Sequence, residues 1–113
     1  MKLSLSQAIA LLPGTPTERY PQGAPSAEVL ARGSVQLKIF APRETDIQLP
    51  HTRDELYFVV DGNGVFFDGE QRHAFGPGDC LFVTAGKTHR FEEFSAEFKT
   101  WVVFYGLEGG EAP

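Results

Sequence analysis

This chain of 113 residues has only one cysteine, one methionine and one tryptophan. A lone Cys80 excludes an intramolecular disulfide and fits a reducing compartment, and with Leu81 and Phe82 beside it the thiol reads as buried. Long apolar runs are missing as well. The apolar stretch from Met1 to Leu12 is interrupted by Ser4, Ser6 and Gln7 and stops at Pro13-Gly14, so it reads as a short amphipathic helix rather than a signal peptide. Nothing approaches the ~20 apolar residues of a membrane span, which predicts a soluble, cytoplasmic protein. Basic residues are scarce and scattered: 10 Lys and Arg against 15 Asp and Glu leave a net charge of -5. That balance excludes the clustered cations a phosphate backbone requires, so nucleic acid is not an expected partner. The length fits one small domain with a single site.

What the chain does have is turn chemistry and short apolar segments. Pro13, Pro16, Pro21 and Pro25, with Gly14 and Gly23, predict an extended arm over residues 13 to 27. Strand-length runs follow at Val35–Phe40, Ile47–His51, Glu55–Val60, Val65–Phe67, Arg72–Phe75, Cys80–Val83, Thr88–Phe91 and Phe98–Tyr105, separated by clusters such as Asp61-Gly62-Asn63-Gly64 and Gly76-Pro77-Gly78-Asp79. Helical stretches do not intervene, so the fold class is all-β, an antiparallel sandwich or barrel. The expected organisation is a helix and Pro/Gly-rich arm over residues 1–33, a barrel over 34–107 and a flexible tail over 108–113. In Glu55-Leu56-Tyr57-Phe58-Val59-Val60 neither two-residue face is polar, and Trp101 to Tyr105 repeats the pattern. Both faces therefore call for cover, and a homodimer is the expected source of it.

Two segments carry the chemistry. Pro50-His51-Thr52-Arg53-Asp54-Glu55 and Gly86-Lys87-Thr88-His89 offer two imidazoles and a carboxylate that neighbouring strands can aim at one point. Two neutral histidines and one carboxylate suffice to hold one divalent transition metal, such as Zn, Fe, Mn or Ni, with coordination positions left open. An inward carboxylate is costly unless something charged pairs with it, and a cation between imidazoles would do so. Without a metal, its partner would be Arg53 or Arg90. His73 reads as a rim or surface residue, and Glu92 and Glu93 read as solvated charges.

The spacings resemble those of the cupins, small double-stranded β-helix barrels, over residues 34 to 105. In the cupin first motif a His-x-His pair is followed by Glu and then Gly; here His51, Glu55 and Gly62 fit, and Leu49 stands at the earlier histidine position. In the second motif Gly78, Gly86 and His89 fit, while Thr84 replaces a proline and Glu93 an asparagine. The resemblance implies a metal inside the barrel held by His51, Glu55 and His89, with the fourth ligand missing because leucine cannot coordinate. Strand alternation turns Gln48 and Pro50 away from that position.

Glu55 and Tyr57, on one predicted face, are the candidate catalytic residues. Leu49, Tyr57, Phe82 and Trp101 are the candidate lining of a pocket for a small-molecule ligand. Apolar Leu49 and the aromatic-rich barrel point to a small, partly aromatic substrate, and the chain is similar to single-domain cupins of polyketide synthesis, a resemblance that supports an enzyme without naming its substrate. Metal-dependent oxygenation, isomerisation or cyclisation is the first functional expectation. A non-catalytic binding or sensing module and a metal-free structural dimer are the alternatives.

Overall fold

The computed structural model describes residues 1–113. Its elements in chain order are α1 (Leu5–Ile9), β1 (Ser26–Arg32), β2 (Val35–Phe40), β3 (Asp54–Asp61), β4 (Gly64–Phe67), β5 (Arg72–Phe75), β6 (Cys80–Val83), β7 (Arg90–Glu92) and β8 (Lys99–Tyr105). Ser4 caps α1 by accepting from the Gln7 amide while the Gln7 side chain accepts from the Ser4 amide, a reciprocal pair that makes so short a helix possible. No helix is long and apolar enough to cross a membrane.

The strands form two antiparallel sheets, β1-β2-β8-β3-β6 and β5-β4-β7. Glycines directly follow β1, β3, β5 and β8, at Gly33, Gly62, Gly76 and Gly106. Gly62, between β3 and β4, has φ of +82°, and a Cβ there would collide with the Phe98 backbone. Only glycine satisfies both the left-handed conformation and the close approach.

Alternation along β3 divides its side chains cleanly. Glu55, Tyr57 and Val59 are buried between the sheets, and Phe58, on the other face, is 43% exposed. The small sheet answers with Phe66, Phe75 and Phe91, and the ring of Phe91 lies 4.7 Å from Phe98 and 4.9 Å from both Tyr57 and Phe66. Such burial contributes roughly 1.5–3 kcal/mol for each large apolar side chain, so this aromatic cluster anchors the two sheets to each other.

Four expectations change. Residues 47–51 form no strand, because their backbone groups are engaged elsewhere. The Gln48 amide donates to Asp46 Oδ1, Arg19 takes the Ile47 carbonyl, Gly86 takes the His51 carbonyl, and Pro50 has no N–H to offer. Within the stretch assigned to helix and arm, Ser26–Arg32 pairs with β2 as an edge strand, folded back through Gly33-Ser34. The chain end is tied rather than loose: the Gly109 amide donates to the Thr52 carbonyl and the Glu111 amide to Asp54 Oδ2. Cys80 is exposed, because it pairs with Phe58 on the outer face of the large sheet.

Candidate metal centre

His51 sits in the irregular segment before β3, Glu55 is the second residue of β3, and His89 immediately precedes β7. The bond from the Gly86 amide to the His51 carbonyl, 2.6 Å long, joins the two loops that carry the histidines. Gly86 has φ of +77°, which explains the glycine at this corner. Asp54, also buried, accepts from the Ala85 amide and pins the same loop from the β3 side. One potential ligand atom from each of His51, Glu55 and His89 lies within 4.8 Å of the others.

Protonation makes this cluster informative. His89 Nδ1 lies 2.8 Å from the Lys87 carbonyl oxygen, which can only accept, so Nδ1 carries a proton. In the neutral imidazole Nε2 then presents a lone pair, and it faces Glu55 Oε1 at 2.6 Å. Both Glu55 oxygens are fully buried and neither has an aligned hydrogen-bond donor. A neutral imidazole lone pair and a carboxylate in this arrangement need a cation, either a second proton on His89 or a metal ion. The pKa directions agree. Burial alone would depress His89, but the Glu55 carboxylate, with the Lys87 carbonyl and the Asp46 charge, outweighs it and holds the pKa above the ordinary imidazole value. Burial dominates at His51, whose pKa is lowered.

Arg53 and Arg90 do not neutralise Glu55. Arg53 donates to the Ser34 carbonyl and to Gln36, and Arg90 pairs with Glu92, which also binds Arg72. His73 is exposed and pairs with Asp68 at 2.8 Å, on the surface as expected.

A cavity of about 230 Å³ adjoins the cluster, lined by His51, Glu55 and Tyr57 at its base and by Phe40, Val102 and Phe104 on its apolar wall. Leu49 lines it while remaining 60% exposed, so it belongs to the mouth rather than to the metal-facing wall. Tyr57 is buried and its hydroxyl donates to Gln48 Oε1 at 3.2 Å. Phe82 and Trp101 lie elsewhere. They pair with Leu56 and Phe58, the outward residues of β3, so both stand on the outer face of the large sheet. Sequence reasoning missed Lys38 from β2 and Arg19 and Tyr20 from the arm, all of which line the cavity. Alternation in Val35–Phe40 does place Lys38 on the Phe40 face, a signal legible in advance; the arm carried none.

A family profile described as Cupin domain matches residues 36–109. An uncharacterized protein of Streptomyces coelicolor is 37% identical over 71 residues, which cover 63% of this chain and 68% of that protein. Among solved structures, a cupin-2 domain containing protein of Shewanella frigidimarina superposes with a TM-score of 0.64 at 14% identity, over 92% of this chain and 94% of its own. A DMSP lyase of Ruegeria pomeroyi superposes with a TM-score of 0.59 at 22% identity, over 72% of this chain and 46% of its own.

Proposed function

This chain belongs to the cupin-domain family, and on that premise we propose that it holds one divalent transition metal, Zn, Fe, Mn or Ni, between His51, Glu55 and His89 and uses it on a small organic molecule. The observation that carries this reading is the buried Glu55 carboxylate, without an aligned donor and faced by the lone-pair side of His89. Two imidazoles and a carboxylate satisfy a first-row divalent ion and leave positions open. When bound, the metal supplies Lewis acidity or, where redox-active, electron transfer to a ligand at those positions.

The chain's own residues choose and orient that ligand. The cavity is smaller than the ~300–1,000 Å³ of sites for drug-sized molecules, and its aromatic wall favours a compact, partly aromatic ligand. Lys38 takes part in no ion pair, and Arg19 donates to the Ile47 carbonyl but to no carboxylate. Both line the cavity and give the ligand's anionic group, such as a carboxylate, a place to bind. The Tyr57 hydroxyl keeps its proton at neutral pH, because burial and then the Glu55 and Asp46 charges push its pKa well above that of an ordinary tyrosine. That proton is donated to Gln48 Oε1, so Tyr57 orients the Gln48 amide at the base of the cavity. Oxygenation, isomerisation and cyclisation are the reactions this arrangement suits, and a polyketide-type aromatic acid fits the cavity's character. Apart from His51 and Glu55, which the metal would occupy, the cavity lining has no imidazole or carboxylate to serve as a general base, and this favours, as a second reading, a module that binds or senses such a molecule without turnover. We also propose that the protein pairs with a second copy through the outer face of the large sheet.

The metal reading is tested by elemental analysis of freshly purified protein and by thermal denaturation after chelation and re-addition of each ion. Stoichiometric metal and a rise in Tm by mass action are expected for the native chain, with no rise for the His51→Ala/His89→Ala variant. Metal-free protein whose Tm ignores every ion would overturn it. Product formation with candidate aromatic acids separates the enzyme from the binding module.

A further inference from the structure

Gln48 is where the sequence and the structure disagree most about the site. Strand alternation turned it outward, but residues 47–51 are irregular and its side chain points inward. Its Oε1 lies 3.3 Å from His51 Nε2 and 3.2 Å from His89 Nε2, and accepts from the Tyr57 hydroxyl at 3.2 Å. One amide oxygen thus meets the inward nitrogens of both histidines that flank Glu55.

The orientation of that amide is not arbitrary. Gln48 Nε2 donates to Asp46 Oδ2 at 2.6 Å, and a carboxylate can accept but not donate, so the NH2 group faces Asp46 and the oxygen faces the histidines. Asp46 is itself buried and fixed, accepting from the Gln48 amide N–H and from the Phe91 amide at 2.9 Å. Two backbone anchors therefore aim one neutral oxygen into the cluster, the outer support that metal ligands require for their orientation.

We infer that Gln48 is a fourth metal donor, its amide oxygen completing a set of two nitrogens and two oxygens with His51, His89 and Glu55. This rests on the metal reading above and removes the apparent gap at Leu49: the donor comes from the neighbouring residue, because the chain there is not a strand. Being neutral, the amide leaves the centre with a single ligand charge, that of Glu55, and so with a net positive charge that attracts an anionic ligand. Its hard oxygen also favours manganese and iron relative to an all-imidazole set.

The test compares the native chain with Gln48→Met, which keeps the side-chain length and removes the oxygen. Each chelated protein is titrated with Co2+ by calorimetry while the visible absorption of the bound ion is recorded. The expected result is one ion per native chain, with affinity at least 10-fold weaker and an altered Co2+ spectrum in Gln48→Met, in line with the ~10–100-fold that even supporting residues contribute to metal sites. Equal affinity and an unchanged spectrum would overturn the role of Gln48 and leave the three-residue centre standing. Absence of binding by the native chain would overturn the metal reading itself. A crystal structure of the native protein with Zn2+ needs no variant to fold. It should place Gln48 Oε1 about 2.0–2.2 Å from the ion, and a distance beyond about 2.6 Å would exclude ligation.

Discussion

Glu93 holds φ of +49°, a left-handed conformation that costs most L-residues about 1–2 kcal/mol and asparagine less. Asparagine is the residue at this place in the motif the sequence resembles, so Glu93→Asn should raise stability by about 0.5–1 kcal/mol, read as a higher midpoint in urea. An unchanged or lower midpoint would show that the turn does not carry this strain. Protonation of the two histidines gives a second prediction. The pKa of His89 is raised, so its contribution to the stability of chelated protein is complete below the unfolded imidazole value of about 6.5 and is lost as pH rises through the folded value. That of His51 is lowered, so its contribution is present above about 6.5 and is lost as pH falls through its folded value. Metal must displace the His89 proton but finds His51 already neutral near pH 7. Calorimetry between pH 6.5 and 8 in buffers of different ionisation heat should therefore show proton release and an affinity that climbs with pH. A flat affinity without proton release across that range would contradict ligation by His89.

Elements explain which parts of the site the sequence could reveal. The strands with clean turn signals, from Val35 to Phe40 and from β3 through β6, stand close to where alternation and glycines place them. His51, Glu55 and His89 were legible because motif spacing does not depend on the exact path between them. Gln48 was not legible, since its inward direction follows from local bonds to Asp46 that replace strand pairing. Phe82 and Trp101 were misplaced for another reason. Both faces of β3 are apolar, so periodicity cannot say which face is the interior, whereas the register that pairs them with Leu56 and Phe58 does. Phe91 on β7 was overlooked for its setting in a strand of only three residues, although the charged Arg90 and Glu92 on either side turn it inward. Its ring touches those of Tyr57, Phe66, Phe75 and Phe98, and its amide binds Asp46, so one short element joins the core to the support of Gln48. Phe91→Ala should cost about 3–5 kcal/mol in denaturant unfolding, as expected for a buried aromatic. A loss below about 1 kcal/mol would mean that the sheets close over the cavity and that the ring is not a keystone.

For the whole molecule, the unresolved demand of the sequence is cover for the outer face of the large sheet. Phe58 and Phe82 are 43% and 51% exposed there, next to Leu56, Trp101 and Val103, and Cys80 lies among them opposite Phe58. Exposed apolar residues scattered singly are ordinary, but a contiguous aromatic strip on paired strands marks an interaction surface. A second copy supplies the same strip, and twofold symmetry lets one patch cover its own image without leaving a new apolar edge. The thiol that the sequence placed in a core would then be buried between subunits. Light scattering at micromolar concentration should give twice the 12.5 kDa chain mass for the native protein and the chain mass for Phe58→Asp/Phe82→Asp. Cys80 should react slowly with an alkylating reagent in the former and faster in the latter, with circular dichroism confirming that the variant remains folded. A native protein that runs at the chain mass, with its thiol already fast, would leave that face to a different partner.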